Sequence, residues 1–201
     1  MNNKSSKHFH IKWASTDWEL EQARRIRNAV FCEEQEIFNG HDIDEIDGVA
    51  KTLVAVTHVA GMPEKVAGTV RIHEISPRQW YGSRLAVDKK FRREGVLGAA
   101  LIELAVRSAT TLGCDEFHAT VQRKNERFFA KMHWDKTSEC MAFGIPHVSM
   151  LADLNHYPAM SDAQNGFWVE GKQLRLDMNV LDQFNHYWVG NEYGFDTSIT
   201  H

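Results

Sequence analysis

The stretch Leu85-Ala86-Val87-Asp88-Lys89-Lys90-Phe91-Arg92-Arg93-Glu94-Gly95-Val96-Leu97-Gly98-Ala99-Ala100 constrains the fold more than any other part of the chain: an apolar strand ending passes through a basic, glycine-containing loop into a helix. From Val96 to Leu112, the residues Leu97, Ala100, Leu101, Leu104, Ala105 and Leu112 keep to one helical face, Glu103, Arg107 and Thr111 face away, and Gly113 supplies the stop. Cys114 to Val121 reads as a short strand, so the three pieces form a crossover that lays a helix on a sheet. The first turn of such a helix carries backbone N–H groups without partners and the positive end of the macrodipole, and glycine lets an anion approach the backbone. Lys89, Lys90, Arg92 and Arg93 add charge beside it. The loop is an anion cradle or, on the plain reading, a solvated connection in which Gly98 permits close helix packing. The three-glycine dinucleotide fingerprint and the Gly-Lys-Ser/Thr of a Walker loop are absent, so NAD and ATP are not implied by those routes.

The rest of the chain fits around this unit. Phe9 to Ala14 alternates as a first strand, and Thr16 with Glu19 has capping-box spacing ahead of Leu20, Ala23, Ile26 and Val30 at helical intervals. An acidic stretch, 39–48, precedes Leu53 to Val56, a turn at Gly61-Met62-Pro63, and Val66 to Ile75, a hairpin of two strands. Pro77 breaks the run and Trp80 to Val87 resumes it. After Cys114 to Val121 come a short helix, Asn125 to Met132, and a closing strand pair, Lys136 to Phe143 and His147 to Leu154, about Pro146. The order implies an α/β (α+β) fold. Residues 1–8 read as a frayed tail, 9–158 as the domain, and 159–201 as a C-terminal extension without clear period. The extension's Trp168, Tyr187, Trp188 and Tyr193 are open to core packing, cover of a cleft or a homodimer face.

Composition narrows the function. Lys+Arg 23 against Asp+Glu 27 leaves no basic excess, which argues against nucleic acid. No apolar run reaches the ~18 to 20 residues of a membrane helix, and no signal segment follows the basic first residues, so no membrane role is expected. Cys32, Cys114 and Cys140 are odd in number and unpaired by spacing, which suggests a reducing, cytoplasmic setting rather than a disulfide framework. The eleven histidines show no metal-ligand spacing, and no metal is expected. Asp42, Asp44, Glu45 and Asp47 lack the pattern of a calcium loop and read as a solvated rim or an attractor of a cationic amine.

Arg92 to Gly98, following Arg84-Leu85-Ala86-Val87, resembles the pyrophosphate-binding motif of the GCN5-related N-acetyltransferases. Val30-Phe31-Cys32-Glu33-Glu34-Gln35 resembles the first-helix segment of that family's small-molecule members. Asn125 with Phe128, Phe129, Lys131, Met132, His133 and Trp134 is similar to its second cofactor-side helix, and Gly144 to Met150 to the closing strand of a bacterial subgroup. The likeness covers residues 9 to 157 and, more narrowly, is to acetyltransferases of bacterial nitrilase gene clusters linked to nitrogen starvation.

The resemblance implies a mixed central sheet of about seven strands flanked by helices, and acetyl-CoA as cosubstrate. Backbone groups of Leu85, Ala86 and Val87 would pair with the pantetheine arm, and amides at Arg92, Arg93, Gly95, Val96, Leu97, Gly98 and Ala99 would hold the pyrophosphate. Asn125, Phe128 and Phe129 would flank the thiol arm. Two positions depart from the family pattern. Leu97 stands where a small residue is usual, and Phe129 stands where many members have a tyrosine that protonates the leaving thiolate. A thiolate of ordinary pKa near ~8.5 can leave with less help, or the chain binds acyl-CoA without transfer.

For the base that takes a proton from the attacking amine, Glu74 is the first candidate, with Glu34 and His147 behind it. Each has a plain reading: a turn cap, a solvated helix end and a hydrogen bond within the closing strand pair. Arg71 and Arg84, in neighbouring strands, could grip an acceptor carboxylate or pair with Glu74 and Asp47. The sequence therefore points to an N-acetyltransferase that moves acetyl from acetyl-CoA to a small-molecule amine by direct attack. The alternative is a non-catalytic acyl-CoA-binding accessory protein. Acyl-homoserine-lactone synthesis shares the fold and an early acidic and arginine pattern, without its aromatic N-terminal signature here.

Overall fold

The computed structural model describes residues 8–171. Nearly all of the expected N-terminal tail, and Tyr187, Trp188 and Tyr193, lie outside the described residues. The elements in chain order are β1 (His8–Trp13), α1 (Asp17–Asn28), a π-helical turn (Ala29–Glu34), β2 (Lys51–Val59), β3 (Met62–Ser76), β4 (Gln79–Val87), α2 (Leu97–Thr111), β5 (Glu116–Gln122), α3 (Glu126–Lys131), β6 (Trp134–Ala142), β7 (Ile145–Ala152) and β8 (Phe167–Glu170). They build a mixed sheet of eight strands in the order β6-β7-β5-β4-β3-β2-β1-β8. Every adjacent pair is antiparallel except β4 with β5, which the α2 crossover forces to run parallel.

Local chemistry starts and stops these elements. The Thr16 side chain accepts the Glu19 N–H while the Glu19 carboxylate accepts the Thr16 N–H, a reciprocal cap that opens α1. Ala60 and Gly61 both take positive φ, the paired geometry of the tight turn between β2 and β3. Alternation along β2 sets the two faces of the sheet. Leu53 and Ala55 join the cluster built on α2, and Val54 and Val56 join the cluster built on α1. The two helices thus cover opposite faces, with the larger core, from Phe9 to Val169, beneath α2.

Three features differ from the sequence reading. The sheet gains an eighth strand, because Phe167–Glu170 pairs with β1 beyond the boundary expected at 158. Trp168 of that strand stacks on His10 with ring centroids 4.5 Å apart. The closing pair turns at Phe143-Gly144, not about Pro146, which lies inside β7 opposite Met141. β5 begins its pairing only at His147, so the missing proline N–H interrupts no ladder there. The first helix also does not run on regularly to Val30: from Ala29 it widens, and the Gln35 N–H reaches back five residues to the Val30 carbonyl.

Candidate active site

β4 and β5 pair only from Gln79 with Glu116 to Gly82 with Ala119, then diverge. At the closed end the Asp115 N–H bonds to the Arg78 carbonyl and the Arg78 guanidinium grips the Asp115 carboxylate. Gly82 marks the point of divergence, where a Cβ would stand 3.0 Å from the Phe117 ring. Beyond it, β4 bulges: Ser83 pairs with Arg71 and Ala86 with Thr69, and Arg84 takes φ of 56°. The bulge turns Arg84 and Ser83 toward the same face. The edge of β4 from Ser83 to Val87 has no β5 partner, so the amides and carbonyls not paired with β3 are open to another extended chain, apart from the Val87 carbonyl, which accepts from Arg92 Nε.

The split opens a cavity of about 750 Å³ lined by residues from both faces of the sheet. On the α1 face its wall is polar, with Arg71, His73, Tyr81, Ser83 and Arg84. On the α2 face it is apolar, with Val70, Ile102, Ala105, Phe117, Phe129 and Trp134. Phe31 of the π-helical turn and Phe38 of the loop after it form one lip. Phe38 meets Phe143 of the β6–β7 turn at 4.9 Å between centroids, and Gln122 donates to Gln35 across the opening at 2.9 Å.

The loop into α2 follows the cradle expectation in part. Gly95 has φ of 72°, a left-handed conformation, and the 15-residue helix beginning at Leu97 has no side-chain cap at Val96. Its first-turn amides, at Leu97, Gly98 and Ala99, therefore have no partner within the helix. Leu97 is buried in the core, so the bulky residue points away from the cradle. Arg93 is exposed beside it. The Arg92 side chain adds no free charge to the cradle: it is buried, with Nε donating to the Val87 carbonyl at 3.0 Å and both terminal nitrogens on the Glu34 carboxylate at 2.6 and 2.7 Å. Of the second flank, Asn125 and Phe129 line the cavity, whereas Phe128 is buried beside Phe129 and does not. Leu85 lines it, and Ala86 and Val87 are buried at the end of the free edge.

Of the acids in the acidic stretch only Glu45 is exposed as a solvated rim residue would be; the three aspartates are committed to arginines. Asp42, Asp44 and Asp47 are bound to Arg27, Arg71 and Arg84, three charges of each sign. Arg27 Nε donates to Asp42 at 2.8 Å and its terminal nitrogens hold Asp47. Arg71 grips Asp44 through both nitrogens at 2.6 and 2.7 Å, touches Asp47 at 2.9 Å and donates from Nε to Ser83 Oγ. Arg84 lies 3.0 Å from Asp42 and 3.1 Å from Asp44, with its guanidinium over the Phe38 ring. Arg71 and Arg84 are thus committed to this cluster, not to Glu74 and not free to clamp an acceptor carboxylate. The hydrogen bond from Arg71 holds Asp44 below the usual carboxylate range. For Asp47 burial works the other way, but the Arg27 bond outweighs it and the pKa falls. Burial, then Arg71, lowers Arg84.

Two of the three expected bases lie outside the cavity wall. Glu74 is exposed and accepts the Arg78 N–H at 2.7 Å, closing the β3–β4 turn. Glu34 is held by Arg92. His147 does line the cavity, with Nδ1 2.8 Å from the Ile145 carbonyl. The group missed in the sequence is His73. It lines the polar wall, is 9% exposed, and its Nδ1 has no hydrogen-bond partner among the described residues. Burial, then the neighbouring Arg71, lowers its pKa below 6.5, so the ring is neutral at pH 7. Strand alternation is the signal that could have found it: once Arg71 faces the cavity, His73 shares that face. Among the described residues, no group of three or more His, Cys, Asp or Glu side chains could hold a metal ion, and no helix is long and apolar enough to cross a membrane.

Comparison with known proteins agrees with this geometry. A family model described as "Acetyltransferase (GNAT) family" matches residues 16–134. A Bacillus subtilis (strain 168) protein named "Putative acetyltransferase BSU40680" is 28% identical over 144 residues, covering 71% of this chain and 95% of that protein. An acyl-CoA N-acyltransferase from Pseudomonas aeruginosa has the same fold, with a TM-score of 0.59 at 21% identity over 72% of this chain and 98% of its own. The CoA-dependent acyl-homoserine lactone synthase BjaI, solved with SAM and isopentyl-CoA, gives a TM-score of 0.58 at 14% identity over 92% of this chain and 91% of its own.

Proposed function

Because the chain belongs to the GNAT acetyltransferase family, we propose that it transfers an acyl group, acetyl in the simplest case, from the coenzyme A thioester to the amine of a small molecule by direct attack. The observation that carries this reading is the split between β4 and β5 beside the uncapped N-terminus of α2. The free edge of β4 suits an amide-bearing pantetheine arm, and the first-turn amides of α2 with Arg93 suit a pyrophosphate. Coenzyme A brings the activated thioester carbonyl. An open N–H on the β4 edge stabilises negative charge developing on that oxygen, and the closing lips exclude water. His73 Nδ1, uncharged and unpartnered, takes the proton from the amine nitrogen as it turns positive on attack. Phe129 donates nothing to the departing thiolate, which leaves as an anion with pKa near ~8.5. No acyl-enzyme is required.

The narrower assignment to a nitrilase gene cluster is supported by the sequence resemblance, and a cytoplasmic setting by the three cysteines without pairing spacing. A second reading, acyl-CoA binding without transfer, is favoured by Phe129. Calorimetric titration with acetyl-CoA tests both. The expected result is micromolar binding by the native chain, lost in Gly95→Glu, which introduces strain at a positive φ and a carboxylate at the cradle. Thiol release in an amine screen then separates transfer from binding. No binding to a folded native chain overturns the proposal.

A further inference from the structure

The apolar half of the cavity is the part that acetyl transfer leaves unexplained. The polar wall supplies what an attacking amine needs: His73, Tyr81 and Ser83 face it from β3 and β4. On the other side of the same split, Val70, Ile102, Ala105, Phe117, Phe129 and Trp134 present no charged group. The one polar atom those side chains carry, the Trp134 indole N–H, is already spent on Tyr157 Oη at 3.2 Å. None of these six side chains can hydrogen-bond an amine, a hydroxyl or a carboxylate, and a polar group pushed against them would lose its water without compensation. Ala105 on α2 and Ala119 on β5 are the small side chains that keep it open.

The cavity of about 750 Å³ takes the end of the thiol arm and the acceptor amine as well as the acyl group, and an acetyl group has only three non-hydrogen atoms to set against the six apolar side chains of this half. The apolar half begins where the strands part at Gly82, the point at which a thioester lying along the β4 edge would carry its acyl substituent. We propose that this half is an acyl-chain tunnel, and that the donor is an acyl thioester with an apolar chain longer than acetyl. The inference rests on the acyl-CoA reading above and names its substrate class. The chain enters between β4 and β5 and lies beneath α2. The amine remains on the opposite face, so donor tail and acceptor do not compete for space. The transfer is balanced as for acetyl: the C–N bond forms, the C–S bond breaks, and the amine proton passes to His73 while coenzyme A leaves as thiolate.

The experiment is a calorimetric series with coenzyme A, acetyl-CoA, butanoyl-CoA, hexanoyl-CoA and octanoyl-CoA on the full chain, and on Ala105→Phe and Ala119→Leu. Each variant is checked for native circular dichroism, and two are used because either core alteration can disturb folding. Each methylene that enters the tunnel is expected to tighten binding about fourfold, the equivalent of ~0.8 kcal/mol. In a folded variant the ratio of octanoyl-CoA to acetyl-CoA affinity is expected to collapse toward unity. If acetyl-CoA binds and longer chains bind no tighter, the tunnel is overturned and the acyl-CoA reading stands. A rise with chain length that survives both fillings places the chain elsewhere and also overturns the tunnel. If no member of the series binds, coenzyme A included, both fall.

Discussion

Asp42→Ala tests whether the arginine–aspartate cluster holds the loop that lips the cavity. The Asp42 side chain is 2% exposed and receives Arg27 Nε at 2.8 Å while lying 3.0 Å from Arg84 Nε. Its removal takes the cluster from three charges of each sign to a net +1 without exposing it to water. Breaking a buried pair by deleting one partner costs about 3–5 kcal/mol. The lower end applies here, because Arg27 keeps Asp47, and the Asp42 backbone carbonyl still accepts from Arg27 and Arg84 at 3.2 Å. About 3 kcal/mol corresponds to a fall in Tm of ~6–12 °C for a chain of this size. The assay is urea unfolding followed by tryptophan fluorescence, with thermal melts alongside, in low salt and in 0.5 M NaCl (roughly the range where Debye lengths fall below 5 Å). A buried cluster is screened weakly, so the deficit persists in salt. A loss under ~1 kcal/mol, the size of a surface pair, or one that salt abolishes, refutes the reasoning.

His73 has a folded pKa below its unfolded value of about 6.5, so the neutral ring is the working form. The acid limb of kcat/KM is therefore expected below pH 6.5, and His73→Gln is expected to lower turnover ~10²-fold or more and remove that limb. A limb that His73→Gln leaves in place assigns the proton elsewhere. The same sign applies to stability: folding favours the neutral ring, so this contribution is present above pH 6.5 and is lost as pH falls toward the folded pKa. Glu74→Gln, at an exposed turn, is expected to leave turnover within twofold of the native chain; a large loss in a steady-state assay returns Glu74 to the site.

Much of this was legible from local patterns. The stripe from Leu97 to Leu112, the Thr16 and Glu19 cap and the turn at Gly61 each write their structure within a few residues, and each element formed where its pattern lies. β8 was not, because four residues beside Gly166 and Asn165 are too few for alternation to show, and their strand character comes from the β1 edge they cover. The partners of Arg71 and Arg84 were hidden for a different reason. Both bind acids 24 to 42 residues away, and only the folded path of the loop says which carboxylate arrives. The choice of Glu74 over His73 shows how one residue's step along a strand moves a side chain to the other face.

The short seam between β4 and β5 has a mechanical consequence. Four residue pairs are all the strand pairing that joins β6, β7 and β5 to the other five strands, and the rest of the join is the shared core beneath α2. The seam is anchored at the Arg78–Asp115 end and tied across the opening by the amide pair of Gln122 with Gln35 and the ring contact of Phe38 with Phe143. An extended donor lying along the vacant edge of β4 would act as a ninth strand, bridging the two parts of the sheet where their own pairing stops.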